Sequence, residues 1–174
     1  VLPNNLDAGQ FKLHLRTANS GEAIATNGTA KVVNVANQEL GYYRFAVVAG
    51  KGYGLALGDL GFTPTGTGQY LRAYVYRPDG TQISQYCDFS VSTKDCDWSP
   101  GNFSEDGTYG LVFVPKYGYS ASFSAMLNKD VTGELKVDAS SATEVNLNAG
   151  QNARYTFDGV AGSALQLLWT NNTL

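Results

Sequence analysis

Phe11-Lys12-Leu13-His14-Leu15 alternates apolar and polar residues, and the same two-residue period returns along much of the chain. Successive side chains of a strand point to opposite faces of its sheet, so this pattern predicts half-buried β-strands. Further strands are expected at Lys31–Val35, Tyr42–Val47, Tyr53–Leu57, Tyr70–Tyr76, Thr108–Val114 and Ser120–Leu127. Between them lie turns with a mechanism. In Arg77-Pro78-Asp79-Gly80-Thr81, proline presets φ and glycine accepts a positive one, and Gln82–Gln85 is expected to return as the hairpin partner. Residues 58–69 and 87–103, rich in glycine and polar residues, read as loops. Seven or eight short strands with turns this frequent predict an all-β fold, an antiparallel β-sandwich of jelly-roll type. No helix of two turns is expected.

The pattern also repeats on a longer scale. Arg44-Phe45-Ala46-Val47-Val48-Ala49-Gly50 is echoed by Thr156-Phe157-Asp158-Gly159-Val160-Ala161-Gly162, 112 residues on. Aligning 11–62 with 123–174 without a gap gives 13 identities in 52 positions. Chance would give about 3 at ordinary residue frequencies. Such a repeat implies successive copies of one structural unit. Residues 1–20 then read as the terminal strand of a preceding module plus linker. Residues 21–132 are a complete module, and 133–174 the first half of a following one. The chain is thus expected to be part of a longer array. Its partial modules would be completed by the rest of the parent protein or by a second copy. Leu165, Leu167 and Trp169 answer Tyr53, Leu55 and Leu57, and both sets are expected in a core.

Composition supports the β reading: Gly numbers 20 and Tyr 11, and only 16% of residues are charged. A net charge of −3 with scattered Lys and Arg lacks the basic patch of a nucleic-acid-binding protein. No apolar run approaches the ~20 residues that span a bilayer. Cys87 and Cys96 are the only cysteines, and with one histidine and no Cys-x-x-Cys a zinc site is disfavoured. A disulfide clipping a loop is the favoured reading, which points to a secreted or cell-surface protein. Two free thiols in a reducing compartment are the other.

Catalysis through histidine would depend on His14, which sits in an alternating strand where the second copy has Met126. No enzyme is therefore expected, and a hydrolase using paired carboxylates is the weakest alternative. Asp88, Asp95 and Asp97 cluster around the cysteines and are candidate oxygen ligands for Ca²⁺. A solvated acidic loop is the plainer reading. Tyr70, Tyr74 and Tyr76 fall on one face of a strand, and Trp98, Tyr117 and Tyr119 lie on or beside loops. Exposed flat rings with hydroxyls suit a polysaccharide or matrix polymer, although tyrosine also simply favours strands.

The run from Ala149 to Trp169, with Ala-Gly-Gln, Tyr-x-Phe and a Val-Ala-Gly turn, resembles the bacterial pre-peptidase C-terminal domain. So do the Arg77–Gly80 hairpin and Asp106–Val114. Residues 129–162 look closer still to the tandem modules upstream of RHS/YD-repeat regions in large secreted bacterial proteins. The resemblance covers nearly the whole chain and rests mostly on turn and core signals. It implies an accessory, non-catalytic β-sandwich that spaces or presents other parts of a larger protein, or that binds carbohydrate or matrix. The Cys87–Cys96 segment departs from that pattern.

Overall fold

The computed structural model describes residues 21–170 together with Leu13, Leu15 and Thr17. His14 therefore lies outside the described residues. In chain order the strands are β1 (Glu22–Ala23), β2 (Lys31–Val35), β3 (Gly41–Val47), β4 (Tyr53–Thr63), β5 (Leu71–Tyr76) and β6 (Cys87–Phe89). They continue as β7 (Asp95–Trp98), β8 (Gly107–Pro115), β9 (Ser120–Lys129), β10 (Val131–Leu135) and β11 (Ala153–Phe157). A five-stranded front sheet has the order β1-β3-β8-β5-β6, and a four-stranded back sheet the order β2-β9-β4-β7. The two face each other as a β-sandwich. Except for β1, which runs parallel to β3, neighbouring strands in both sheets are antiparallel.

Alternation decides which residues enter the core. Phe45 and Val47 of β3, Leu71, Ala73 and Val75 of β5, and Tyr109, Leu111 and Phe113 of β8 all point inward. From the back sheet they meet Leu55 and Leu57 of β4 and Phe123 and Leu127 of β9. Aromatic edges join the layers: Phe113 and Phe123 stand 4.9 Å apart, and Tyr53 lies 4.9 Å from Phe103 and 5.7 Å from Phe45. A buried phenol needs a partner for its hydroxyl. The Val48 N–H donates to Tyr53 Oη at 2.8 Å, and Tyr109 Oη donates to the Glu105 carbonyl at 3.3 Å.

Three expectations need correction. Residues 58–69 are not loop throughout, because β4 continues to Thr63. Its pairing with β9 shifts register between Gly58 and Gly61, and Asp59 takes a φ of 53° there. The glycines that suggested a loop accommodate a bulge, beyond which Leu60 and Phe62 return to the core. Second, residues 87–103 contain two strands. Cys87 enters the front sheet on β6 and Cys96 the back sheet on β7, so the Cys87–Cys96 disulfide, with Cα atoms 6.0 Å apart, ties the sheets together. Trp98, expected at the surface, is fully buried opposite Tyr53, since its place on β7 puts the indole between the layers. Third, Leu165, Leu167 and Trp169 form no strand and are exposed. Among the described residues they have no sheet to join.

Beyond β9, β10 and β11 form a separate two-stranded parallel pair. Two turn hydrogen bonds of the sandwich have counterparts 112 residues later: Glu39 N to Ala36 O and Gln151 N to Asn148 O, then Lys51 N to Val48 O and Ser163 N to Val160 O. Gln38 and Gly150, at the same place in the first turn, have φ of 64° and 68°.

Two stability effects are expected from this core. Cys96→Ser releases a nine-residue cross-link and should lower stability by about 2–3 kcal/mol, read as a urea midpoint shift that added reductant reproduces in the parent. Phe45→Ala should cost about 3–5 kcal/mol by the same measurement.

Candidate functional site

Small residues on β4 make the first feature. Gly54, Ala56 and Gly58 alternate outward on the back sheet, and a turn at 148–151 lies on the first two. A Cβ on Gly54 would come 1.8 Å from the Gly150 carbonyl oxygen, and one on Gly150 would come 2.7 Å from Ala56 Cβ. Close approach of two backbones is the reason glycine stands at both places. Asn128, wholly buried on β9, secures the turn. Its Nδ2 donates to the Ala149 carbonyl at 2.9 Å, and its Oδ1 accepts from Asn148 Nδ2 at 3.2 Å. Gln151 Nε2 donates to the Lys129 carbonyl at 2.8 Å, and Val131 N to the Asn152 carbonyl at 2.9 Å.

The charged centre of this joint is Arg154 on β11. Its Nη2 donates to both carboxylate oxygens of Asp97, at 2.9 and 2.7 Å, and its Nε donates to Asp130 Oδ2. Asp130, between β9 and β10, is buried, while Asp97 is half exposed beside Cys96. Asn152 Nδ2 adds a bond of 2.8 Å to Asp97 Oδ1. The carboxylates, Asp130 first and Asp97 second, hold the Arg154 guanidinium above its ordinary range. A cleft of about 350 Å³ opens beside them, between Asp95–Asp97 and residues 147–152.

The second feature is the outer face of the front sheet. Rows across β3, β8 and β5 read Tyr42, Val112, Tyr74 and then Arg44, Gly110, Tyr76. Burial, with Tyr74 and Tyr42 nearby, raises the Tyr76 phenol above its usual range. Arg72 grips Asp88 through two bonds of 2.6 and 2.7 Å while its guanidinium lies 4.0 Å from the centre of the Tyr86 ring. Tyr70 faces both Arg72, at 5.5 Å, and Lys116, at 5.8 Å. The Tyr74 and Tyr86 rings are 5.9 Å apart.

The sequence candidates are therefore divided. Tyr74 and Tyr76 share one outward face and Tyr70 stands at its edge. Tyr117 is exposed at the turn between β8 and β9, and Tyr119 packs partly against the core. Trp98 is withdrawn from any surface. Asp88, Asp95 and Asp97 do not converge: Asp88 serves Arg72 on the front sheet and Asp97 serves Arg154 on the back. Among the described residues no three His, Cys, Asp or Glu side chains gather to hold a metal ion. Sequence reasoning missed Arg154, Asp130 and Asn128, whose partners lie 20 or more residues away. The small-residue alternation Gly54-x-Ala56-x-Gly58 was the one available signal.

No family model and no curated protein matches the chain. Among solved structures, the periplasmic inhibitor of g-type lysozyme from Aeromonas hydrophila matches at 7% identity and a TM-score of 0.42, over 62% of this chain and 96% of its own. The pre-peptidase C-terminal domain of a Bacillus anthracis collagenase matches at 11% identity and a TM-score of 0.41, over 62% of this chain and 92% of its own. At such similarity no functional statement passes from either to this protein. No helix among the described residues is long and apolar enough to cross a membrane.

Removing the guanidinium should loosen the joint without unfolding the sandwich. Arg154→Ala is expected to speed amide exchange across residues 149–157 by at least about tenfold, since it removes three charge-assisted bonds and one alone is worth about that factor. Gly54→Val should do the same by displacing the turn. Protection of β8 and β9 core amides should remain unchanged in Arg154→Ala.

Proposed function

We propose that this protein is a non-catalytic segment of a secreted or cell-surface tandem β-sandwich array, in which successive modules are held in fixed relative orientation. In this reading 21–132 is a whole module, 133–174 begins the next, and 1–20 closes the one before. The 112-residue recurrence of turn hydrogen bonds supports that division, as does the parallel pairing of β1 with β3 and of β10 with β11. The observation that carries the function is the Arg154 clamp: a residue of the following unit holds Asp97 and Asp130 of the complete one. Its anchor, β7, is itself tied to the front sheet by the disulfide. A spacer built this way transmits direction as well as distance. Against the hydrolase alternative, Asp88 and Asp97 are each paired with a guanidinium.

Residual dipolar couplings test the rigid joint. One alignment tensor should fit both residues 21–129 and residues 131–157, and Arg154→Ala should require two. Independent tensors in the parent protein would refute the proposal.

A second reading, polysaccharide or matrix binding, is favoured by one observation. Tyr70, Tyr74 and Tyr86 surround Arg72, which is already stacked on the Tyr86 ring, a surface of π-faces with hydroxyl and guanidinium donors. Titration against a polysaccharide panel should find a binder whose affinity falls about tenfold in Tyr74→Ala. No binding across the panel would dismiss it.

A further inference from the structure

Three of the hydrogen bonds that hold residues 152–154 to the sandwich end on one carboxylate. Arg154 Nη2 donates to both oxygens of Asp97, and Asn152 Nδ2 donates to its Oδ1. That carboxylate is carried by β7, which is four residues long and stands at the end of the back sheet. Among the described residues β7 pairs with β4 alone, from Ala56 opposite Asp95 to Tyr53 opposite Trp98. A short end strand with a single ladder opens at lower cost than the strands inside a sheet. Two ties run from β7 to residues 85–87, which lead into β6 of the front sheet. The Cys87–Cys96 disulfide is one, and it reaches β7 one residue before Asp97. Gln85 is the other: its Nε2 donates to the Asp97 carbonyl at 2.6 Å while its Oε1 accepts from Asn102 Nδ2 at 3.1 Å. A hydrogen bond is exchanged for water at little net cost, so the covalent tie is the one that fixes β7.

We propose that the Cys87–Cys96 bond is a redox-operated lock on the joint. With the bond formed, Asp97 is held where Arg154 grips it. With two free thiols, β7 shifts and releases residues 152–154 while the sandwich stays folded. The inference rests on the rigid-joint reading above. Charge-assisted bonds of this length are strong only while donor and acceptor stay in register, so a displacement far smaller than unfolding breaks the grip on Asp97. Most of the core comes from β3, β4, β5, β8 and β9, and none of these strands carries a cysteine. Locking is thiol–disulfide exchange. One cysteine thiolate attacks an external disulfide and displaces a thiol from it. The second cysteine then attacks the mixed disulfide at the cysteine sulfur and displaces the other thiol. The two cysteines give up two protons and two electrons, and the external disulfide leaves as two thiols. A dithiol reverses the sequence. Disulfides form and persist in oxidising compartments, so a chain that passes from a reducing compartment to an oxidising one trades a loose joint for a rigid one.

The test compares the oxidised full chain with the same chain reduced by dithiothreitol. Oxidised, residues 21–129 and 131–157 should share one alignment tensor. Reduced, they should need two, while the native chemical shifts of β8 and β9 remain, and re-oxidation should restore the single tensor. Amide exchange across residues 149–157 should rise at least about tenfold when the parent is reduced. Reducing Arg154→Ala, which has already lost the grip, should raise it by less than about threefold. A single tensor in the reduced protein, loss of the native β8 and β9 shifts, or equal effects of reduction in the parent and in Arg154→Ala would each overturn the lock. One tensor in both redox states leaves the rigid joint standing without the lock, whereas two tensors in the oxidised parent remove both.

Discussion

A carboxylate taken out of water has to be met by donors or by positive charge, and Asp130 imposes that demand where the sandwich ends. Its side chain is buried between β9 and β10, next to Gly52. Arg154 answers it and takes Asp97 as a second partner. Leaving a buried charge without its partner costs several kcal/mol, whereas the intact pair contributes little net stability. The value of the pair is therefore in specifying geometry. Other orientations of β11 against the back sheet would leave Asp130 without its guanidinium.

The disulfide belongs to the same device. β7 is a short outer strand of the back sheet and would be the easiest to peel away. Cys96 binds it covalently to Cys87 on β6, at the end of the other sheet, and Trp98 is driven into the core beneath it. Asp97, between those two anchored residues, is thereby a fixed point for Arg154. A clamp on a frayed edge would hold nothing.

The two outer faces of the sandwich have been given different surfaces. On the back sheet, Gly54 and Ala56 leave room for a neighbouring backbone, and the turn at 148–151 fills it. On the front sheet, Tyr74 and Tyr76 flank Gly110 and Val112, while Arg72 lies between Tyr70 and Tyr86. One face is shaped for closure against the same chain. The other keeps aromatic and charged groups in reach of solvent.

The all-β class, the inward positions Tyr53, Leu55 and Leu57 of β4, and the Pro78-Asp79-Gly80 turn were legible because they depend on local period and local φ preference. The 112-residue echo was legible too, being a property of order along the chain. Beyond this, partners distant in sequence decided the outcome. Trp98 and Asp97 are two residues of one strand facing opposite ways, yet composition alone marked both as surface loop. Asp88, Asp95 and Asp97 are near in sequence but part company because β6 and β7 join different sheets. Leu167 is as apolar as Leu55, and only the presence of β9 and a facing sheet buries one while the other stays bare. Alternation tells a residue which side of its strand it occupies; only the packed sheets determine what, if anything, lies on that side.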